Sequence, residues 1–342
     1  MQREKLPTIK EIAKRLKVST STVSRALHNH PSIGYTTTMR VHKIAQEIGY
    51  EPNKTAILFK QRKTFTIGVL LPNLSEDFFS AAISGIEDFA ATKNYNVLLG
   101  QSLDDPEREK RILETMKTHR VDGMIVSISK NTDNYEHFEQ LKKYHIPIVF
   151  FDRIPEKEAI NYVACNLESG MLQALNLLIE QGHTRIGLIT GPEQLIASAQ
   201  RREIYIKGLQ EKNIQLDEKL IVSSGLSKEE NHKATKKLLS AKKRPTAIIT
   251  FNDYVALDAI AEAKKLGLTI NKDVCFVSFA NLPIWEYMDS RPIASIEQFP
   301  YKQGEKATEI LFSVLEGDDS MDEETETPEN QVIFDSEMRL HF

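Results

Sequence analysis

Three polar side chains near the amino terminus share one side of a short predicted helix. Ser19 can cap a helix from Thr20 to Leu27, because its hydroxyl accepts hydrogen bonds from the first unpaired backbone N–H groups. Thr20, Ser21 and Arg25 then project from one side, since residues four apart are neighbours on a helix surface. Short hydroxyl side chains beside an arginine can bind base edges and phosphates in the major groove of DNA.

The segments around this helix predict a small helical domain. Val23, Ala26 and Leu27 form the buried side of the helix, and apolar residues repeat with helical spacing at 9–16 and 41–48. About three residues separate the first two helices, which is typical of a helix-turn-helix. An ordinary three-helix bundle with a solvated polar face is the alternative.

Charge is divided unevenly along the chain. Residues 1–63 hold 13 Lys and Arg against 4 Asp and Glu, whereas the remaining residues hold 31 against 44. The net charge is therefore +9 at the front and −13 over the rest. This division predicts that a polyanion such as DNA binds the front of the chain. A small domain that is lysine-rich only because it is well solvated is the alternative.

Residues 51–63 form a basic junction after the helical segment. Asn53 can cap a short helix there, in which Ile57, Leu58 and Phe59 have no core of their own. These apolar side chains either dock on the following domain, or Leu58 or Phe59 enters the minor groove of DNA as a wedge. The sequence leaves both interpretations open.

From Thr66 onward, short apolar runs alternate with amphipathic helical stretches. Runs such as TIGVLLP and IPIVFFD are nearly continuous, as strands buried on both faces are. The alternation predicts parallel sheets covered by helices. One large sheet, a closed barrel and two doubly wound lobes all fit this pattern.

Polar and aromatic side chains follow several of these predicted strands. The carboxyl ends of strands in open α/β sheets carry the ligand site. The candidates are Phe78, Phe79, Asp152, Arg153, Asn252, Asp253, Ala280 and Asn281. Carboxylates, amides, an arginine and aromatic rings suit a polyhydroxylated ligand such as a sugar. Single residues also have structural alternatives: Asp253 as a helix cap, Phe79 as core, and Arg153 as the partner of Asp152.

Length and composition limit the class of protein. A chain of 342 residues, 41% hydrophobic and 27% charged, is typical of a globular protein with two or three folded units. It has no apolar run near the ~18 residues that cross a bilayer and no secretion signal. Cys165 and Cys275 have neither disulfide nor zinc spacing, and hydrolase and nucleotide-binding motifs do not occur. We therefore expect a cytoplasmic protein with no membrane partner, metal, cofactor or catalytic residue.

These segments resemble the LacI/GalR family of bacterial transcription regulators. The stretch TIKEIAKRLKVSTSTVSRALHNHPSIGYTTTMRVHKIAQEIGYEPN is similar to the DNA-binding headpiece of the family. The likeness continues in TIGVLLPNLSEDFF, RVDGMIV, IPIVFFDR, GHTRIGLITGP, FNDYVAL and SIEQFPYKQGEKA, so it covers nearly the whole chain. It implies an α/β protein with an all-α helix-turn-helix headpiece, a hinge, and a two-lobed, doubly wound parallel-sheet core resembling periplasmic sugar-binding proteins.

The resemblance also implies roles for single positions. The base-reading positions are held here by Thr20, Ser21 and Arg25. The positions that contact or orient phosphates are held by Thr8, Ser19, Thr22, Thr37, Tyr50 and Asn53. Ala56 and Phe59 hold the minor-groove positions of the hinge. The effector-binding positions are held by Phe78, Phe79, Asp152, Arg153, Arg201 and Asn252, to which the strand-end pattern adds Asp253.

Three residues depart from the family pattern. Phe59 stands where an intercalating leucine is usual, and a phenylalanine can still act as a wedge. His28 replaces an asparagine that is common after the recognition helix, and Ala280 replaces a carboxylate that often holds effector hydroxyls. No leucine heptad follows the last predicted strand, so we expect a dimer rather than a tetramer.

The expected organisation is a headpiece at 1–51, a hinge at 52–63 and an effector-binding core at 64–342. Within the core we expect one lobe at about 64–163 and 295–325, and the other at about 164–294 and 326–342. The expected function is that of a homodimeric repressor on a palindromic double-stranded operator, controlled by a sugar or sugar derivative between the lobes. A periplasmic-type sugar-binding protein or a sugar-modifying enzyme without a DNA role is the alternative.

Overall fold

The computed structural model describes residues 7–50, 63–157, 159–193, 195–318 and 330–341. The chain divides into two compact units, residues 1–64 and 65–342. The predicted hinge positions Asn53, Ala56 and Phe59 lie outside the described residues. The predicted wedge at Phe59 therefore stays a prediction.

The first unit contains three described helices around a small apolar core. These are α1 (Ile9–Leu16), α2 (Thr20–Leu27) and α3 (Tyr35–Glu47). Ile12 of α1, Val23 of α2 and Val41 of α3 are fully buried against one another. The helical spacing of apolar residues thus predicted these helices, and the three residues between α1 and α2 confirm the helix-turn-helix geometry.

Within its described residues, the second unit contains two six-stranded sheets, each covered by helices. The strands of the first sheet are β1 (Thr66–Leu71), β2 (Asn96–Gln101), β3 (Gly123–Val126), β4 (Ile148–Phe151), β5 (Asn161–Asn166) and β11 (Gln331–Asp335). They are all parallel, in the order β11-β5-β4-β3-β1-β2. Its helices are α4 (Asp77–Thr92), α5 (Pro106–Thr118), α6 (Glu136–Lys142) and α11 (Pro300–Asp318). We call this half the first lobe.

The second lobe repeats this architecture. Its strands are β6 (Ile186–Thr190), β7 (Ile221–Ser223), β8 (Ala247–Thr250), β9 (Cys275–Phe279), β10 (Ala294–Glu297) and β12 (Glu337–Leu340). Their order is β12-β10-β9-β8-β6-β7, with only β12 antiparallel to its neighbour among these described strands. Its helices are α7 (Leu167–Glu180), α8 (Ile196–Glu211), α9 (Lys228–Leu239) and α10 (Asp253–Lys265). Two doubly wound lobes are therefore confirmed, and the single sheet and the closed barrel are wrong.

The lobe boundaries differ from the expected ones. β10 was expected in the first lobe and pairs in the second, while β11 was expected in the second lobe and pairs with β5 in the first. The last two strands are consequently not a hairpin, since the chain changes lobe at Ser336. The buried Ser336 hydroxyl donates to the carbonyl of Asn166 (2.6 Å) and accepts from the N–H of Gly170 (2.9 Å), which pins two crossing segments together.

Burial follows strand position within each sheet. The central strands β1, β3 and β8 are almost entirely buried, as continuous apolar runs predict. β2 comes from an apolar run of the same kind, but it is the edge strand, and Leu99 is 39% exposed there. The apolar run alone cannot distinguish an edge strand from a central one.

Helices α4 and α11 approach each other closely in the first lobe. A Cβ on Gly85 would lie 2.2 Å from the carbonyl oxygen of Tyr301, and one on Gly304 would lie 2.2 Å from that of Ala82. Only glycine fits at both positions. This contact fixes α4, whose first turn carries Phe78 and Phe79.

Candidate functional site

The polar side of α2 is arranged as predicted. The Ser19 hydroxyl accepts a hydrogen bond from the N–H of Thr22 (3.0 Å) and lies 2.8 Å from the hydroxyl of Ser21, so it caps the helix. Thr20, Ser21 and Arg25 are exposed. The structure therefore places the three predicted base-reading residues on one accessible helix surface.

The predicted phosphate-contacting residues lie mostly at helix starts. Thr8 and Ser19 are the N-cap residues of α1 and α2, and Thr37 lies in the first turn of α3. Thr22 and Tyr50 are half-buried, and the N–H of Tyr50 donates to the carbonyl of Ala45 after the last turn of α3 (2.8 Å). Helix starts present free N–H groups and a positive dipole end, which favour phosphate.

A cavity of about 520 Å³ lies between the two lobes of the second unit, at the carboxyl ends of their strands. Both lobes contribute to its wall. Six of the seven predicted effector-binding residues line it: Phe78, Phe79, Asp152, Arg153, Arg201 and Asn252. The volume is within the range of small-molecule sites.

Asp152 and Arg153 form a charged part of the first-lobe wall. Asp152 follows β4 with φ 58°, and the hydroxyl of Ser127 donates to its carboxylate (3.4 Å). Burial raises the pKa of Asp152, and the positive charges of Arg153 and Arg201 oppose that shift. Arg153 donates chiefly to the carboxylate of Asp104 (2.7 Å), since its Nε lies 4.0 Å from Asp152. The ion pair expected with Asp152 is therefore the weaker of the two.

Arg201 dominates the second-lobe wall. Its side chain is nearly buried, and its guanidinium carbon lies 4.2 Å from the ring centre of Phe251 and 4.4 Å from that of Phe279. Nη1 donates to the carbonyl of Ala197 (3.2 Å), whereas Nε has no hydrogen-bond partner within the described residues. Burial lowers the pKa of Arg201 to about 10, so the group stays charged at neutral pH. The aromatic rings hold a charged donor at the cavity wall.

Asn252 and Asp253 have different roles although they are adjacent. Oδ1 of Asn252 accepts from the N–H of Val255 (3.0 Å), which caps α10 while the side chain lines the cavity. Asp253 does not line the cavity and is fully buried. Its carboxylate accepts hydrogen bonds from the hydroxyls of Ser278 and Ser295 and from the N–H of Leu282. The predicted effector contact at Asp253 is therefore wrong, because the carboxylate ties strands β9 and β10 to α10.

Several cavity residues were missed by the sequence interpretation. A loop after β3, residues 127–135, brings Ile128, Ser129, Lys130, Thr132, Asp133 and Tyr135 to the wall. Tyr254 and Gln298 also line it, as do Glu76 and Cys165. Burial raises the pKa of Cys165 to about 12, so its thiol stays protonated. Tyr254 directly follows the strand-end pair 252–253 and could have been found by extending that pattern.

The described ranges also bear on metal binding and on membrane insertion. No group of three or more His, Cys, Asp or Glu residues there could hold a metal ion. None of the helices described is both long and apolar enough to span a membrane.

Comparisons with known proteins cover both units. The family model described as "Bacterial regulatory proteins, lacI family" matches residues 8–53, and the model described as "Periplasmic binding protein domain" matches residues 67–319. The HTH-type transcriptional repressor CytR of Escherichia coli (strain K12) is 33% identical over 317 residues, which are 92% of each chain.

Solved structures are similar as well. A putative ribose operon repressor from Burkholderia thailandensis matches with a TM-score of 0.72 and 26% identity, covering 82% of this chain and 100% of that one. The Lac repressor dimer bound to operator matches with a TM-score of 0.82 over 98% of each chain. At 21% identity this second likeness concerns the fold alone.

Proposed function

Because the chain belongs to the LacI family of bacterial regulatory proteins, we propose that it represses transcription as a homodimer on a palindromic operator. A carbohydrate effector in the interlobe cavity sets its affinity for DNA. The chain is a DNA-binding regulator rather than an enzyme, as curated relatives such as CytR are transcriptional repressors. It acts in the cytoplasm, where the operator is.

The exposed polar side of α2 is the observation that supports DNA binding. Arg25 donates to a guanine and Thr20 and Ser21 contact neighbouring bases, since a helix of this kind fits the major groove. The phosphate contacts come from Thr8, Ser19, Thr22, Thr37, Tyr50 and Asn53. Ala56 and Phe59 enter the minor groove at the centre of the site. Two headpieces on one dimer read two half-sites.

The cavity wall supports a polyhydroxylated effector. Arg201 supplies a buried donor, Asp152 an acceptor, and Asn252 an amide on the cavity side of its helix cap. Phe78 and Phe79 supply aromatic surface on which a sugar ring can stack. Hydroxyl groups both donate and accept, so a sugar can pair with this mixed set. Asp253 is not part of the site. Ala280 lines the cavity, and its methyl side chain supplies no carboxylate at that position.

A two-step experiment tests the proposal. The DNA sequence that the protein prefers is first selected from a random duplex library. A thermal-shift panel of sugars, sugar phosphates, uronic acids and nucleobases then identifies the effector, because a ligand at ~100 times its Kd stabilises by about 2.7 kcal/mol. We expect a palindromic site and a stabilising carbohydrate. Selection of no preferred site would overturn the DNA-binding part, and a shift caused only by nucleobases would overturn the effector class.

A further inference from the structure

The loop at 127–135 lines the cavity but is held by residues outside it. Six of its residues belong to the cavity wall, whereas Glu109 and Asp104, which bind it from behind, do not. Glu109 lies on α5 and is fully buried. Asp104 precedes α5, in the left-handed region at φ 59°. We call residues 127–135 the wall loop.

Glu109 binds the wall loop at two points and the first turn of α6 at a third. Its Oε2 accepts from the N–H of Ser129 (2.7 Å), and its Oε1 accepts from the hydroxyl of Thr132 (2.7 Å). Nε2 of His137, just after the loop, lies 3.0 Å from the same Oε1. Ser129 is itself buried, and its hydroxyl donates to that of Ser102 (2.9 Å). The carboxylate thus spans the loop from its beginning to α6.

Asp104 provides a second anchor beside the first. Its Oδ1 accepts from the N–H of Lys130 (2.9 Å) and from Nη1 of Arg153 (2.7 Å). Its own carbonyl accepts from the side chain of Asn131 (2.9 Å). The same carboxylate therefore fixes a loop residue and the cavity arginine Arg153.

A buried carboxylate is costly unless hydrogen bonds replace its hydration. Burial would raise the pKa of Glu109, but the bonds from His137, Ser129 and Thr132 outweigh it, so the pKa lies below its usual value. The donors that stabilise this charge belong to the wall loop or adjoin it. A leucine or methionine would fill the same space at less cost, so the carboxylate is explained by the loop it holds and not by packing.

We propose that Glu109 is a positioning residue that holds the wall loop in the shape that admits the effector. This inference rests on the proposed function for its ligand, but its structural part does not depend on any ligand. Asp104 completes the arrangement by orienting Arg153. The loop, and with it the choice among effectors, is set by residues that never contact the effector.

Two substitutions separate hydrogen bonding from packing. Glu109→Gln keeps an acceptor for the N–H of Ser129, and its amide can donate to the hydroxyl of Thr132. Glu109→Met has a similar volume and none of these bonds. Glu114→Met is the matched control, since Glu114 lies on the same helix, is exposed and pairs with Lys117.

The first readout is amide hydrogen exchange of the full chain without ligand. In Glu109→Met we expect the amide of Ser129 to exchange at least about tenfold faster, while β1 amides keep their protection. In Glu109→Gln and in Glu114→Met, the exchange rate of the Ser129 amide should remain close to that in the unmodified protein. Unchanged protection of Ser129 in Glu109→Met, or equal losses at Ser129 and in β1, would overturn the proposal.

A milder variant covers the case in which Glu109→Met does not fold. Thr132→Val removes one bond to Glu109 and leaves the Ser129 bond intact. Exchange should then rise in residues 130–135 and not at Ser129. An equal rise in exchange at Ser129 and in residues 130–135 would show that the two bonds from Glu109 do not hold separate parts of the wall loop.

The second readout uses D-ribose and cellobiose as probes in isothermal titration calorimetry. We expect Glu109→Met to weaken binding of whichever probe binds by about tenfold or more, and Glu109→Gln to restore it to within about threefold. Equal affinity in Glu109→Met and the unmodified protein would overturn the role in binding. If neither sugar binds the unmodified protein, the thermal-shift panel still decides the effector class, and the exchange data decide the role of Glu109.

Discussion

The backbone N–H of Asp77 donates a hydrogen bond to the phenolic oxygen of Tyr254 (3.3 Å). Asp77 begins α4 in the first lobe, and Tyr254 lies in the first turn of α10 in the second. Tyr254 also lines the cavity, and burial raises the pKa of its hydroxyl. One side chain at the wall of the proposed effector site therefore joins the two lobes.

Tyr254→Phe should weaken the response to effector. The substitution keeps the ring and removes the acceptor for Asp77, so the arrangement that encloses the effector loses about 1 kcal/mol. We expect an effector Kd about three- to tenfold higher by calorimetry, with unchanged operator affinity in the absence of effector. Tyr287→Phe is the control, because Tyr287 is 84% exposed. Equal effects of both substitutions would contradict the role of the interlobe bond.

Arg25→Ala should relax the choice of one base pair in the operator. Arg25 is exposed on α2, and its loss should cost about 1 to 3 kcal/mol on the selected operator with much less effect on random DNA. Fluorescence anisotropy with both duplexes measures this difference. Arg15→Ala is the control, since Arg15 lies on α1 and pairs with Glu11. Equal losses on operator and random DNA would count against base reading.

Arg201→Lys should abolish most effector binding while it preserves the charge. A lysine cannot stack flat between the rings of Phe251 and Phe279, so its ammonium group would not occupy the place of the guanidinium. We expect at least about a tenfold rise in effector Kd. The neighbouring Arg202→Lys is the control, because Arg202 is half-exposed and pairs with Glu218. Retained affinity in Arg201→Lys would remove Arg201 from the site.

Stability should depend on pH through Glu109. The pKa of Glu109 in the folded protein lies below its ordinary value of 4.5. Its ionised form therefore stabilises the fold fully above pH 4.5, and this contribution is lost as the pH falls through the folded-state pKa. The difference in unfolding free energy between the unmodified protein and Glu109→Gln should shrink below pH 4.5, as measured by urea unfolding. A difference that grows on acidification would contradict the assigned direction.

Local signals predicted some parts of the fold better than others. The bounds of α2 follow from the Ser19 cap and the spacing of Val23 and Ala26, all within nine residues. The pairing of β11 with β5 joins residues about 170 apart, and nothing in either strand specifies its partner. The final strands therefore follow each other directly in the sequence and belong to different sheets in the structure.

Local sequence signals also predicted only part of the candidate site. The strand-end rule located Asp152 and Asn252 at the cavity, because the position depends only on where a strand stops. It did not separate Asn252 from Asp253, since the buried position of Asp253 depends on the serines of β9 and β10. Glu109 gave no signal, because one glutamate in an otherwise polar helix looks solvated until the wall loop is seen to cover it.

The most direct test of the account is the reciprocity between its two sites. Operator affinity is measured with and without saturating effector, and effector affinity is measured with and without saturating operator. The account predicts that both affinities change by the same factor, between about 5 and 150, and that Arg201→Lys removes the change without altering operator binding. Tight binding of both ligands with no change in either affinity would contradict control of DNA binding through the cavity.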